Sequence, residues 1–260
     1  MLEWIPRGLR QGRVTTRYPQ REEIAPPGYR GRIEVSDAHD GAPELARLCP
    51  TGAITVDGEG RLALDRGRCI LCGACVRAAP DRFAFEPRYQ TAARSRQALV
   101  VGDADQDVAP EPTRRALGEQ ARALRRSIHV RHIDCGSDGS EEWEIQALWN
   151  PHYDIQRLGY FLTAAPRHAD VLLVTGAVTA SMRAPLLRTW EVMPEPKALV
   201  AVGTDACSGG LCAADELTAG GVDALLDVDV YVPGSPPAPI AIMHGLLLAT
   251  GLLRLQETAT

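Results

Sequence analysis

Cys69-Ile-Leu-Cys72-Gly-Ala-Cys75, taken with Cys49-Pro50 upstream, is the stretch on which the fold of the first half turns. Three thiols at i, i+3 and i+6 on a glycine-containing turn can all face one inorganic cube, and a fourth ligand must then come from elsewhere in the chain. In two-cluster iron–sulfur chains the full motif is C-x2-C-x2-C-x3-C-P, and the last cysteine of one motif serves the cluster of the other. Counting ten positions back from Cys49 gives His39, with Ala42 and Leu45 at the middle places, and ten forward from Cys69 gives Ala79, then Pro80. Three ligands of the first motif and the last ligand of the second are therefore missing together, and those four would have held one cluster. The four that remain, Cys49, Cys69, Cys72 and Cys75, are expected to hold a single 4Fe–4S cluster. Zinc is a competing reading, but tetrahedral zinc usually draws on two paired knuckles, and only one pair-like element is present. Incidental cysteines are the third.

At 260 residues the chain has room for two modest domains. Its 28 basic and 33 acidic residues leave a net charge of −5, which gives no reason to expect nucleic acid. Seven cysteines is an odd number, and Met1-Leu-Glu-Trp-Ile-Pro lacks the cationic start and apolar core of a signal peptide. A reducing, cytosolic setting is expected, and it suits iron–sulfur chemistry better than disulfides. The longest apolar run, Ile240 to Leu253, includes His244 and is shorter than the roughly twenty residues a membrane span needs. The chain is not expected to cross a bilayer.

Four regions follow from the pattern. Residues 1–35 are basic (Arg7, Arg10, Arg13, Arg17) and proline-bearing, with Trp4, Ile5, Leu9, Tyr18 and Tyr29 scattered among them. They read as an extended arm docking on a partner, with a disordered tail as the other reading. Residues 36–96 have the layout of an α+β, ferredoxin-like 4Fe–4S domain. Ala53–Val56 and Arg61–Leu64 flank Asp57-Gly58 and predict a β-hairpin, and Arg82–Phe85 predicts another strand. A core this small is thin, so a bound cluster would contribute to folding as well as to redox chemistry. Residues 97–126 read as a strand, an acidic proline-rich linker and a connecting helix over Thr113–Arg126. Residues 127–260 switch to α/β. Ile128–Ile133, His168–Val174, Ala198–Val202 and Val228–Val232 predict strands. Glu142–Trp149, Ser181–Met193 and a long stretch from Ala238 predict helices. Strands separated by helices imply a parallel, flavodoxin-like sheet, with ligands at the strands' carboxyl ends. The loops after the first, third and fourth predicted strands should meet in one crevice there.

Specific motifs carry a resemblance. Asp134-Cys-Gly-Ser with Glu144-Ile145, Asn150-Pro-His-Tyr-Asp154 through Gly159, and Ala165-Pro-Arg-His-Ala-Asp170 are similar to the 20-kDa, B-type subunit of respiratory complex I. They are closer still to the small subunit of energy-converting, formate-hydrogenlyase-type nickel–iron hydrogenases. The likeness continues through Val174–Thr179, Met193–Lys197, Ser208-Gly-Gly210 and Asp229–Gly234, and spans about Arg126 to Leu253. The first half, including Thr16–Pro19 and Arg30-Gly-Arg32, resembles the polyferredoxin subunit of the same complexes. The chain therefore reads as a fusion of two neighbouring subunits of the hydrophilic arm.

One departure matters. In hydrogenase-type small subunits a proximal 4Fe–4S cluster is held by C-x-x-C after the first strand, a cysteine before the position of Ala206, and the cysteine of Pro-Gly-Cys-Pro-Pro. This chain has Asp138, Glu141, Asp205 and Ser235 at those places. Oxygen donors are hard and hold iron–sulfur clusters poorly, so no cluster is expected in the second half. Cys135, Cys207 and Cys212 lie near in sequence but at other offsets, and read as ordinary thiols. The new acids have several readings. Asp138-Gly-Ser-Glu141 has capping-box-like spacing, arginines could pair with the carboxylates, or the group could relay protons or bind a cation. Glu144 is a further proton-relay candidate by the resemblance. His129, His132, His168 and His244 lack metal partners by spacing and read as structural or surface residues. Thr175–Thr179 is too weak a glycine pattern for nucleotide binding.

The resemblance implies an iron–sulfur subunit of a membrane-bound complex, held peripherally on the cytoplasmic face. Its neighbours would be a large hydrogenase or 49-kDa-like subunit and membrane-embedded antiporter-like and quinone-channel-like subunits, with no nucleic acid. With one cluster and no proximal one, a structural or coupling role with impaired electron transfer is expected, not catalysis by the chain alone. Active electron transfer to quinone or hydrogen chemistry, and a standalone ferredoxin-like carrier, are the other readings.

Overall fold

The computed structural model describes residues 4–36, 43–56, 60–101, 119, 127–212 and 214–253. The Asp57-Gly58 turn and all but one residue of the Thr113–Arg126 helix lie outside them. Along the chain run α1 (Trp4–Gln11), β1 (Arg32–Val35), α2 (Pro43–Arg47), β2 (Ile54–Val56), β3 (Leu62–Asp65), α3 (Ala74–Ala78), β4 (Phe83–Glu86) and β5 (Val100–Val101). The second half adds β6 (Ile128–Asp134), α4 (Ser140–Ala147), β7 (Tyr160–Leu162), β8 (Val171–Thr175), α5 (Ala180–Glu191), β9 (Ala198–Val202), α6 (Thr204–Ser208), β10 (Val230–Val232) and α7 (Pro239–Ala249).

The first half is α+β, as its alternating stretches predict. β2 and β3 pair antiparallel with Ile54 opposite Leu64, β5 adds to β3, and β1 pairs with β4. Period-two alternation sends Ile33, Ile54, Leu62, Leu64 and Phe83 into one small core with Cys69 and Cys75.

The second half is a five-stranded parallel sheet ordered β10-β9-β8-β6-β7. Counted within this half, the order is 2-1-3-4-5, one of the two common doubly wound arrangements. The sequence reading has four of these strands and misses β7. Tyr160–Leu162 is a three-residue edge strand, too short for a period to show, and it pairs with β6 from Ile128 opposite Tyr160. The strand interiors are buried on both faces, the pattern parallel sheets require. Val130, Val171, Leu173, Val200 and Val232 face α4 and α7, while Leu172, Val174, Leu199 and Ala201 face α5 and α6.

Every residue of α7 is buried, so the Ile240–Leu253 run is a core helix and its C-terminal turn. It packs on the sheet, and Tyr18, Tyr89 and Ala92 from the first half belong to the same hydrophobic core. The segment around Ala93 extends the sheet edge, exchanging main-chain hydrogen bonds with Tyr231 at 2.9 and 2.8 Å. The arm expected to be extended is helical over Trp4–Gln11, and just beyond the helix it is tied to its own chain. Thr16 N donates to His152 O at 2.8 Å, Thr15 Oγ1 donates to Pro151 O at 2.9 Å, and Tyr18 is buried in the second half's core. This part of the arm docks on its own chain because an aromatic ring and aliphatic contacts offset the cost of ordering it.

Candidate functional site

The loop between β3 and α3 turns sharply enough to aim three thiols inward. Leu71 and Gly73 take left-handed backbone angles, φ 55° and 73°, and a Cβ on Gly73 would lie 2.9 Å from the Phe85 ring. Cys49 arrives from the turn that follows α2, where Cys49 N donates to Ala46 O and Gly52 N donates to Cys49 O. The four cysteines line one cavity, walled by Ile33, Leu48, Ile54, Leu64 and Ile70. Main-chain amides already point at two of the sulfurs: Ala53 N to Cys49 Sγ at 3.2 Å, and Leu71 N to Cys69 Sγ at 3.4 Å. Burial pushes the Cys69 thiol up to about 12, and the three neighbouring thiols push the same way. Burial, then Cys72 and Cys49, raise Cys75 as well. Among the described residues no three His, Cys, Asp or Glu side chains converge on one metal-ion position. Thiols spread around a cavity instead suit a cube, whose corners each take one cysteine. Soft donors, amide hydrogen bonds to sulfur and an apolar wall all fit a 4Fe–4S group.

This cavity touches the second half directly. Thr204, fully buried at the start of α6, places its hydroxyl 3.1 Å from the Cys69 carbonyl and 3.1 Å from Gly234 O. One turn on, Ser208 Oγ donates to Gly67 O at 2.9 Å. Arg96 grips Asp65 with two hydrogen bonds, at 2.6 and 2.5 Å, and its Nε lies 4.0 Å from Asp223 of the second half.

The crevice at the strands' carboxyl ends forms as expected, from the loops after β6, β9 and β10. Glu141 is only 2% exposed and sits against Gly203, whose missing Cβ would fall 2.5 Å from Glu141 Oε1. Burial first, with Asp205 and Asp138 adding like charge, raises Glu141 to about 7. Asp205 is raised by burial and then by Asp138. Thr204 N donates to Gly234 O at 2.8 Å, which brings the exposed Ser235 loop alongside. The three acids therefore gather, and the expected arginine pairing does not occur among the described residues. The capping expectation fails: Gly139 is the N-cap residue and no side chain caps the helix. Asp138 accepts from Ser140 N at 2.9 Å and from Ser140 Oγ at 2.6 Å, which holds its carboxyl below the usual range. Glu141 turns inward instead of reaching back, its carboxyl lying where a Cβ at Gly203 would stand. Glu144, one turn along α4, is raised by burial and raises the phenols of Tyr29 and Tyr153 in turn.

A second polar group beside the crevice escaped the sequence reading. Thr175 Oγ1 donates to Glu142 Oε1 at 2.5 Å and lies 3.0 Å from His132 Nε2, and Ser137 Oγ donates to Glu142 Oε2 at 2.7 Å. The available signal was the polar Thr175 ending an otherwise apolar strand beside His132 on its parallel neighbour. Of the remaining thiols, Cys135 and Cys207 are fully buried and raised to about 12 by burial, and Cys212 is exposed. His244, inside α7, is pushed down to about 4 by burial and then by Arg88 and Arg94, and so is neutral.

Residues 138–249 match the family model described as NADH ubiquinone oxidoreductase, 20 Kd subunit. Residues 62–119 match a 4Fe-4S single cluster domain, which takes in Cys69, Cys72 and Cys75 and leaves Cys49 outside. Formate hydrogenlyase subunit 7 of Escherichia coli is 43% identical over 132 residues, 51% of this chain and 52% of that protein. A protein of Pyrococcus furiosus named "probable membrane-bound hydrogenase subunit mbhJ" is 38% identical over 133 residues, 51% of this chain and 80% of its own length. Among solved structures, a chain of the membrane-bound sulfane sulfur reductase, an archaeal respiratory membrane complex, aligns over 52% of this chain and 77% of its own at 27% identity and a TM-score of 0.44. The chain spans about half the length of the formate hydrogenlyase subunit it matches. No helix among the described residues is long and apolar enough to cross a membrane.

Proposed function

The chain belongs to the NADH ubiquinone oxidoreductase 20 Kd subunit family, and from that premise we propose that it is an iron–sulfur subunit of a membrane-bound complex related to energy-converting hydrogenase and complex I. It combines this family's α/β domain with a 4Fe-4S domain in one polypeptide. The 2-1-3-4-5 strand order supports the flavodoxin-like reading of the α/β half. In this reading Cys49, Cys69, Cys72 and Cys75 hold one 4Fe–4S cluster, which supplies one-electron chemistry when bound. The observation that carries it is the single apolar cavity lined by all four thiols.

What the chain's own residues do follows from their placement. The amides of Ala53 and Leu71 stabilise thiolate on Cys49 and Cys69. The apolar wall excludes water. Thr204 fixes the Cys69 main chain against α6, the element that also carries Asp205. In the crevice, Asp138, Glu141, Asp205 and Ser235 present oxygen where a proximal cluster would need sulfur, and they do not fit one. The role proposed is therefore structural or coupling, with electron transfer through the α/β half impaired. The partners proposed are a large 49-kDa-like subunit and membrane-embedded antiporter-like and quinone-channel-like subunits, at the cytoplasmic face.

Iron analysis of the purified complex tests the reading. About four irons attributable to this chain are expected for one such cluster. A count near eight would mean a second cluster and overturn the structural or coupling role in favour of active electron transfer.

A further inference from the structure

α1 is amphipathic, and no residue of it is buried. At 3.6 residues per turn, Trp4, Gly8, Ile5 and Leu9 share one arc, while Arg7, Arg10 and Gln11 share the other. Trp4 is 70% exposed, Ile5 41% and Leu9 79%. Gly12, at φ +64°, closes the helix through its amide on Gly8 O. Directly beyond it, Arg13, Arg17 and Arg21 line a cleft of about 360 Å³, with His152, Glu22 and Glu23 on its wall. Glu23 is already engaged by the Thr16 hydroxyl. From Trp4 to Arg21 the chain carries five arginines and no acid, against a net charge of −5 for the whole.

We propose that this segment is a membrane-surface anchor. Trp4, Ile5 and Leu9 lie at the boundary between headgroups and acyl chains, and the arginines of α1 and of the cleft meet anionic phospholipid headgroups. A protein groove would have to supply both an apolar trough and acids matched to arginines on two separate surfaces. An anionic bilayer supplies both at once. Directly after the helix the chain is tied to the α/β half, since His152 Nδ1 lies 3.0 Å from Val14 O and Arg157 donates to Tyr18 O. Seating α1 in lipid therefore brings that half close to the membrane surface. The inference rests on the membrane-complex reading and adds lipid as a direct partner of this chain.

Co-sedimentation of the full chain with vesicles tests it. The chain is expected to bind vesicles of phosphatidylcholine with phosphatidylglycerol, less tightly as salt rises, and to bind phosphatidylcholine alone weakly. Leu9→Ser or Trp4→Ser should weaken binding about tenfold each, and Arg7→Gln or Arg10→Gln about fivefold each. Absence of binding to the anionic vesicles, or variants that bind as tightly as the parent, would overturn the proposal. Co-purification from native membranes separates the two readings. A chain that assembles with membrane subunits yet ignores vesicles sinks the lipid anchor alone. One that binds vesicles but joins no membrane complex sinks the partner assignment and leaves the anchor standing.

Discussion

The Thr204 hydroxyl sits 3.1 Å from the main-chain carbonyl of Cys69, joining the cysteine cavity to the helix that carries Asp205. The contact spans 135 positions of sequence and is buried. Thr204→Val keeps the shape but leaves the carbonyl of Cys69 short of a donor, since Gly234 O keeps the Thr204 main-chain amide, at a cost of about 1–3 kcal/mol. Denaturant unfolding should register that loss, and Thr204→Ser should recover most of it. Equal losses in both variants would show that the methyl group matters and the hydroxyl does not.

Cys49 lies twenty positions before Cys69 and outside the matched 4Fe-4S domain, yet it faces the same cavity. Cys49→Ser should therefore remove most of the bound iron and its visible absorption, as Cys72→Ser should. Cys135→Ser and Cys212→Ser should retain both. Iron retained in full by Cys49→Ser would dismiss it as a ligand.

Glu141 gives stability a pH dependence of defined sign. Its pKa is about 7 in the folded chain and 4.5 in the unfolded one. Between these values the folded state keeps a proton that the unfolded state has released. The chain is then most stable, as far as this group is concerned, below pH 4.5, and loses up to about 3 kcal/mol as pH rises to 7. Glu141→Gln should raise the melting temperature at pH 8 relative to the parent and narrow the difference at pH 5. An equal effect at both pH values would rule out titration of Glu141 as the cause.

Restoring sulfur to the crevice should restore cluster binding. The fourfold change Asp138→Cys, Glu141→Cys, Asp205→Cys and Ser235→Cys replaces hard donors with soft ones on a framework already folded around them. Reconstituted iron should rise from about four to about eight per chain. If it stays near four, more than the ligands has changed in the crevice.

Much of the site was legible because cysteine spacing encodes which thiols can share a turn, and Cys69, Cys72 and Cys75 form one local loop. Assigning Cys49 to them needed only the arithmetic of the missing motif. The crevice positions were legible as well, since loops at the carboxyl ends of parallel strands must meet. The environment of Glu141 was not. Its spacing from Asp138 fits a cap, but the choice between capping and burial depends on the space beside Gly203, contributed by a strand end 62 positions away.

By itself the sequence determined the α+β then α/β order of domains, the four-thiol set and four of the five parallel strands, because each of these is written in local period or spacing. Only the tertiary structure decided that β7 completes the sheet, that part of the arm folds back onto its own chain, and that Thr204 reaches Cys69. It also decided that Glu141 is buried among like charges. Those outcomes depend on packing between segments far apart in the chain, where burial and desolvation outweigh local preference.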